Sequence, residues 1–277
     1  MDVVDLHGAH GSAAAVAAAM EGYSASSHPQ ETVSAPPVPS ASALVPFSFR
    51  NPFHDALRDA TRWFPIAGKR IRIDQAWQSD GRGGTTLGFG ASVYDAAIAL
   101  SLYLEAHRGA VGGKRVIELG CGPGLVGVVA AHLDPKYVVI TDGDPASVSL
   151  TRRNIVANAL PDDLCVAEEY LWGDVTHHLV PKPENLAHYD VILGADIVAC
   201  PYASAFDALM VSLRALTGPE TLVLLAYKKR HGLEQEFFTV FEQSFDVTLI
   251  DRSELHPDFQ EGGDIVLFQA RLKSKQQ

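Results

Sequence analysis

The residues with most chemical promise are Glu118-Leu119-Gly120-Cys121-Gly122-Pro123-Gly124, which follow the apolar pair Val116-Ile117 and lead into Leu125-Val126. A strand gives way to a helix there through a glycine turn, the kind of turn that binds ligands at the carboxyl edge of a parallel sheet. The missing Cβ atoms of Gly120 and Gly122 let a ligand rest against the backbone. Glu118 stands before the first glycine and Pro123 carries no amide proton. A pyrophosphate would therefore meet a carboxylate and lose a donor, which argues against a nicotinamide enzyme. The same carboxylate suits a ligand with ammonium and sulfonium charges, as S-adenosylmethionine has.

Two further carboxylates end apolar runs. Thr141-Asp142 lies some twenty residues past the glycines, where an acid accepts hydrogen bonds from ribose hydroxyls. The neighbouring Asp144 precedes Pro145 and reads as a helix cap. Asp196 closes Leu193-Gly194-Ala195. A carboxylate ending a buried strand at the ligand edge is costly unless a charged or donating group meets it.

These groups need a scaffold, and the spacing of apolar runs supplies one. Strands are expected at Arg115 to Leu119, Tyr137 to Thr141, Leu164 to Leu171, Tyr189 to Ala195, Thr221 to Tyr227, Asp246 to Ile250 and Asp264 to Leu272. Helices are expected at Gly124 to Leu133, Ala146 to Ala159, Ala203 to Leu216 and Leu233 to Phe245. The alternation implies a mainly parallel α/β sheet, with the last two strands, joined by a loop alone, forming an antiparallel hairpin. Upstream, Phe64 to Ile73 alternates as a strand hairpin, Asp80 to Gly84 reads as a mobile loop, and Val93 to His107 puts Val93, Ala97, Leu100 and Leu104 on one helix face. The organisation is thus an Ala/Ser/Pro-rich tail over residues 1–43, expected to be disordered, a hairpin and helix over 44–110, and a ligand-binding domain over 111–273.

Composition narrows the classes. The 277 residues, nearly half of them apolar, can bury a large core. A formal charge of −11 gives nucleic acid no general reason to bind. No apolar run is long enough to span a bilayer. The cysteines, Cys121, Cys165 and Cys200, have neither disulfide-framework nor metal-pair spacing, so free thiols, no metal and a cytoplasmic location, with the nucleus as a second, are expected.

Taken together, Gly90-Ala91-Ser92-Val93-Tyr94-Asp95-Ala96-Ala97, Glu118 to Gly127, Thr141-Asp142, Leu171-Trp172-Gly173 and Leu193 to Val198 resemble the seven-β-strand non-histone protein-lysine methyltransferases. This is the methyltransferase-like group that modifies heat-shock chaperones, the p97 ATPase and translation elongation factors. The resemblance spans about Pro65 to Lys273. It implies a Rossmann-like, seven-stranded class I methyltransferase sheet that uses S-adenosylmethionine. Gly120, Cys121 and Gly122 would bring backbone to the methionine portion, Glu118 would face its ammonium, Asp142 would hold the ribose, Trp172 would lie against adenine and Ala195 would present backbone. Tyr94 stands where the family usually has Trp, keeping an aromatic ring with less area and a phenol in need of a partner.

The family usually follows the fourth strand with Asp-x-x-Tyr or Asp-x-x-Phe, whereas this chain reads Asp196-Ile197-Val198-Ala199-Cys200-Pro201-Tyr202. The ring that helps wall the lysine channel is absent at Ala199, with Tyr202 a substitute candidate. Asp196 is expected to aim the acceptor amine by accepting its hydrogen bond. The basic run Tyr227-Lys228-Lys229-Arg230-His231 reads as a solvated loop, or as a contact for an acidic protein surface or RNA. The expected function is methylation of a lysine on a non-histone protein by a monomeric enzyme. Another acceptor (histidine, a terminal amine or a small molecule) and a non-catalytic cofactor-binding partner remain the alternatives.

Overall fold

The protein is described by a computed structural model covering residues 55–79, 81, 87–182, 188–199, 203–230 and 233–274, all within one compact unit that runs Asn51–Gln277. The N-terminal tail, most of the Asp80 to Gly84 loop, Cys200 and Tyr202 lie outside the described residues.

A two-stranded hairpin leads the unit, β1 (Thr61–Ile66) pairing antiparallel with β2 (Lys69–Asp74). Its turn residues Ala67 and Gly68 both have positive φ, 59° and 66°, the type I′ geometry whose twist matches that of the strands. Ala67 tolerates it with its N–H donating to Glu105 Oε1 at 2.6 Å. Phe64, Ile66, Ile71 and Ile73 form the buried face.

The outer edge of β2 meets two asparagines on a helix. Asn154 accepts from Asp74 N at 2.9 Å and donates to Asp74 O at 3.0 Å. One turn on, Asn158 accepts from Arg72 N at 3.0 Å and donates to Arg72 O at 2.7 Å. Residues four apart on a helix share a face, so the two amides reach alternate strand residues.

The helix α1 (Asp95–Ala106) follows. It starts two residues later than the apolar spacing suggests, because Val93 N is held by Gln75 Oε1 at 2.8 Å and Tyr94 is extended as the N-cap. Then come β3 (Arg115–Leu119), α2 (Leu125–Ala131), β4 (Tyr137–Asp142), α3 (Pro145–Ala157), β5 (Cys165–Glu169), β6 (Tyr189–Ala195), α4 (Ala203–Leu216), β7 (Thr217–Lys228), α5 (Leu233–Phe241), β8 (Phe245–Leu249), α6 (Pro257–Gln260) and β9 (Ile265–Leu272). The seven-stranded sheet has the order β5-β4-β3-β6-β7-β9-β8. Only β9 runs antiparallel to its neighbours.

Strand periodicity divides the core into two faces. Val116, Val191 and Leu193 point into the cluster with α1, α2 and the hairpin, while Ile117, Leu119 and Ile192 join the cluster with α4 and α5. Several boundaries differ from the sequence expectation: β5 is confined to Cys165–Glu169 and α2 ends at Ala131, and two further differences have a visible cause. β7 begins at Thr217, whose hydroxyl donates to Leu213 O at 2.5 Å, so helix end and strand start share one turn. α5 stops at Phe241, since Ser244 N turns back to Phe241 O at 3.0 Å and delivers Phe245 to stack on Phe241 with centroids 4.4 Å apart.

The chain order reverses at β3, with β4 on one side and β6 on the other. That switch point opens a crevice at the carboxyl ends of the strands, where α/β sheets take their ligands.

Candidate active site

The glycine loop leaves β3 at that crevice and is fixed from three sides. Cys121 N donates to Thr141 O at 2.9 Å. Thr151 Oγ1 donates to Gly122 O at 2.8 Å, and Asn154 Nδ2 to Pro123 O at 2.8 Å. Gly120 needs its φ of 64° and its bare Cα, because a Cβ there would lie 3.1 Å from the Trp172 ring and 2.8 Å from Ile197.

Glu118 is buried, with Oε2 accepting from Gly127 N at 2.8 Å. Gly127 permits this approach, since a Cβ on it would come within 2.6 Å of that oxygen. Burial pushes the Glu118 carboxyl up to about 8, opposed by the Gly127 N–H and reinforced by the charge of Asp142. Burial, with Glu118 and Asp142 adding to it, also drives the Cys121 thiol upward, so this cysteine is an inert wall rather than a nucleophile. Cys165 is likewise free and buried.

Asp142 caps the loop from β4. Its Oδ2 accepts from Gly122 N and its Oδ1 from Asp144 N, both at 3.0 Å. Burial raises its carboxyl, and these N–H donors pull it back down. Asp144 accepts from Ala146 N at 2.7 Å ahead of Pro145, which makes it the cap of α3 as its sequence position suggests.

One cavity of about 740 Å³ gathers Tyr94, Glu118, Gly120, Cys121, Gly122, Asp142, Trp172, Ala195 and Asp196, residues drawn from four strand ends and the start of α1. Phe89 and Leu171, 70% and 66% exposed, stand at its rim. Leu171 belongs to the Leu171-Trp172-Gly173 motif, whereas no motif marked Phe89, because an exposed rim residue leaves no periodic trace. The cavity is large enough for a nucleoside-sized ligand. Its buried Glu118 is a group that a bound cation would relieve of its desolvation cost, so the residues present fit S-adenosylmethionine.

At the other end Asp196 has a left-handed φ of 60°, a conformation that Asp adopts more readily than most residues. Its backbone N donates to Ala226 O at 2.8 Å, and its Oδ1 accepts from Lys228 N at 2.8 Å. The Arg230 guanidinium places Nη1 on Oδ1 and Nη2 on Oδ2, each at 3.3 Å. Lys228 Nζ pairs with Asp95 Oδ2 at 3.1 Å. The basic run at the end of β7 is therefore more than a solvated loop, since Arg230 turns onto Asp196, with which it lines the cavity, and Lys228 turns onto Asp95. Its charge was legible in sequence, but its partners lie 34 and 133 residues away. Tyr94 lies in the same field: burial raises its phenol, Arg230 lowers it and Asp196 raises it. The Ala199 side chain is not among those described, although its backbone closes a short 3-10 turn, Ile197–Ala199.

Comparison with known proteins gives the same picture from outside. Residues 76–244 match the family model described as lysine methyltransferase. The chain is 38% identical over 237 residues to the protein N-lysine methyltransferase METTL21A of Danio rerio, covering 84% of this chain and 97% of that protein. It is 36% identical over 204 residues to EEF1A lysine methyltransferase 3 of Mus musculus, covering 73% and 81%. Among solved structures, a methyltransferase complexed with SAH superposes with a TM-score of 0.51 at 15% identity, covering 81% of this chain and 57% of that one, a likeness of fold.

Proposed function

The chain belongs to the lysine methyltransferase family, and on that premise we propose that it moves a methyl group from S-adenosylmethionine to a lysine side chain of a non-histone protein. The observation that carries this reading is the pairing of a buried acid, Glu118, on the cavity wall with a second acid, Asp196, at its mouth. One suits the donor's ammonium and the other an incoming amine.

In this reading Glu118 receives the ammonium, Asp142 accepts from the ribose hydroxyls, and Trp172 with Leu171 flanks the base. Gly120, Cys121, Gly122 and Ala195 offer backbone, and Tyr94 packs beside the reacting end. When bound, S-adenosylmethionine supplies a sulfonium-linked methyl whose C–S bond electrons pass to sulfur as the amine lone pair forms the new N–C bond. The chain's own task is to present a neutral, aimed amine. A free lysine with pKa about 10.4 is neutral in only about one part in a few thousand at pH 7, a deficit of roughly 4.6 kcal/mol. Desolvation within the cavity offsets part of it, and Asp196 orients the nitrogen by accepting one N–H.

The substrate class proposed is a chaperone, a p97-type ATPase or a translation elongation factor, supported by the motif resemblance and by relatives named for lysine methylation. A monomer acting in the cytoplasm or nucleus, without nucleic-acid or membrane partners, completes the proposal. The net charge of −11 and the buried free thiols support it. Incubating the protein and a tritiated methyl donor with cell lysate tests the function, and mass spectrometry of any labelled band locates the modified residue. Label on lysine supports the reading, whereas label confined to small molecules or to histidine overturns it. Size-exclusion chromatography and fractionation of cells expressing a tagged chain test oligomeric state and location.

A further inference from the structure

The acid assigned to the acceptor already faces a cation of the chain's own. Arg230 puts one guanidinium nitrogen on each oxygen of Asp196, both at 3.3 Å, and its side chain is 41% exposed against 13% for Asp196. The guanidinium is thus the more exposed partner, and both residues line the cavity. The Arg230 backbone N–H donates to Glu234 at the start of α5, which fixes where the side chain departs.

This arrangement answers a difficulty in the proposed reaction. A bare carboxylate touching the acceptor holds it in the ammonium form, which has no lone pair to attack with. A carboxylate paired with a guanidinium presents almost no net charge, yet keeps lone pairs that can accept an N–H. Among the described residues, the charged or titratable groups near this pair include the Tyr94 phenol, the Lys228–Asp95 pair, itself neutral overall, and Glu234, which takes the Arg230 backbone N–H. Arg230 is the cation in direct contact with the Asp196 carboxylate among the described residues.

We propose that Arg230 is a positioning residue for methyl transfer, neutralising Asp196 so that the acceptor lysine can lose its proton to water at the port and still be aimed by that carboxylate. Arginine suits the task, because it stays charged at every pH at which the enzyme works. The inference rests on the lysine reading above.

The test compares the wild type with Arg230→Gln and Arg230→Lys, measuring the rate of tritiated methyl incorporation into lysate protein from pH 6 to 9.5 at saturating donor. Thermal melting of each variant verifies the fold. The expected result is an acidic limb of the rate profile moved upward by about one pH unit in Arg230→Gln, the small end of the range for a contacting charge because the pair is partly exposed. Arg230→Lys should return it most of the way. A folded Arg230→Gln that labels protein with an unmoved limb overturns the inference alone. So does a lower KM for the protein acceptor without any limb shift, which would make Arg230 a competitor that the substrate displaces. A wild type that labels no protein overturns the lysine reading, and the inference with it.

Discussion

Asn154 joins Pro123 to Asp74: its Nδ2 donates to the loop carbonyl at 2.8 Å and to the hairpin carbonyl at 3.0 Å, from a fully buried position on α3. The loop that walls the cavity and the β1–β2 hairpin are tied through one amide. Asn154→Ala leaves both carbonyls and the Asp74 N–H without that partner, which should cost about 2–4 kcal/mol of stability. It should also weaken donor binding, because the loop loses the restraint on its Pro123 carbonyl. Denaturant unfolding and calorimetric titration with S-adenosylmethionine measure the two effects. An unchanged affinity would detach the hairpin from the site.

Glu118 gives a pH signature. Its carboxyl is raised in the folded protein to about 8, well above its unfolded value near 4.3. The folded state therefore binds more protons than the unfolded state between those values, and stability falls as pH rises through the interval. Glu118→Gln removes that fall. The donor-free variant should melt at least roughly 5 °C above wild type at pH 8.5 and much closer to it at pH 5. Donor affinity should show the complement, rising with pH toward 8 in wild type and staying weak and flat in the variant. A wild-type affinity independent of pH would remove Glu118 from the ammonium site.

Gly127 is expected to resist substitution. A Cβ there would sit 2.5 Å from Ile140 Cγ1 and 2.6 Å from Glu118 Oε2, and neither the buried strand nor the buried acid has room to give. Gly127→Ala should destabilise by about 1–3 kcal/mol despite alanine's better helix propensity. A variant as stable as wild type in urea unfolding would show that α2 can lift off the sheet.

Asp142 and Asp196 should separate binding from turnover. Asp142→Ala frees Gly122 N and Asp144 N and removes the ribose acceptor, so donor affinity should drop about tenfold or more. Asp196→Asn keeps a residue that tolerates the left-handed backbone, so it should cut turnover at least tenfold with donor affinity nearly intact. Full activity in Asp196→Asn would end its assignment to the acceptor.

The sheet was largely legible because buried parallel strands read as short apolar runs: Arg115–Leu119 and Tyr189–Ala195 fall where the sequence puts them. The donor side was legible for a related reason. Glycines, an acid and a proline packed into seven residues constrain the backbone locally, and local constraint leaves a local trace. On the acceptor side Asp196 stood out at the end of an apolar run, but its partner did not. Arg230 and Asp196 meet because β6 and β7 are neighbours in the sheet, and no spacing along the chain encodes a contact made across strands. The start of α1 was misplaced for the same reason, since Gln75 sets it from another element.

The two asparagines of α3 have one more effect. A strand edge left to water offers its N–H and C=O groups as a template for any extended chain. At Arg72 and Asp74 that template is already filled by side chains. β2 thus has an edge that cannot recruit a foreign strand, and the hairpin is guarded there against self-association by the same helix that steadies the loop.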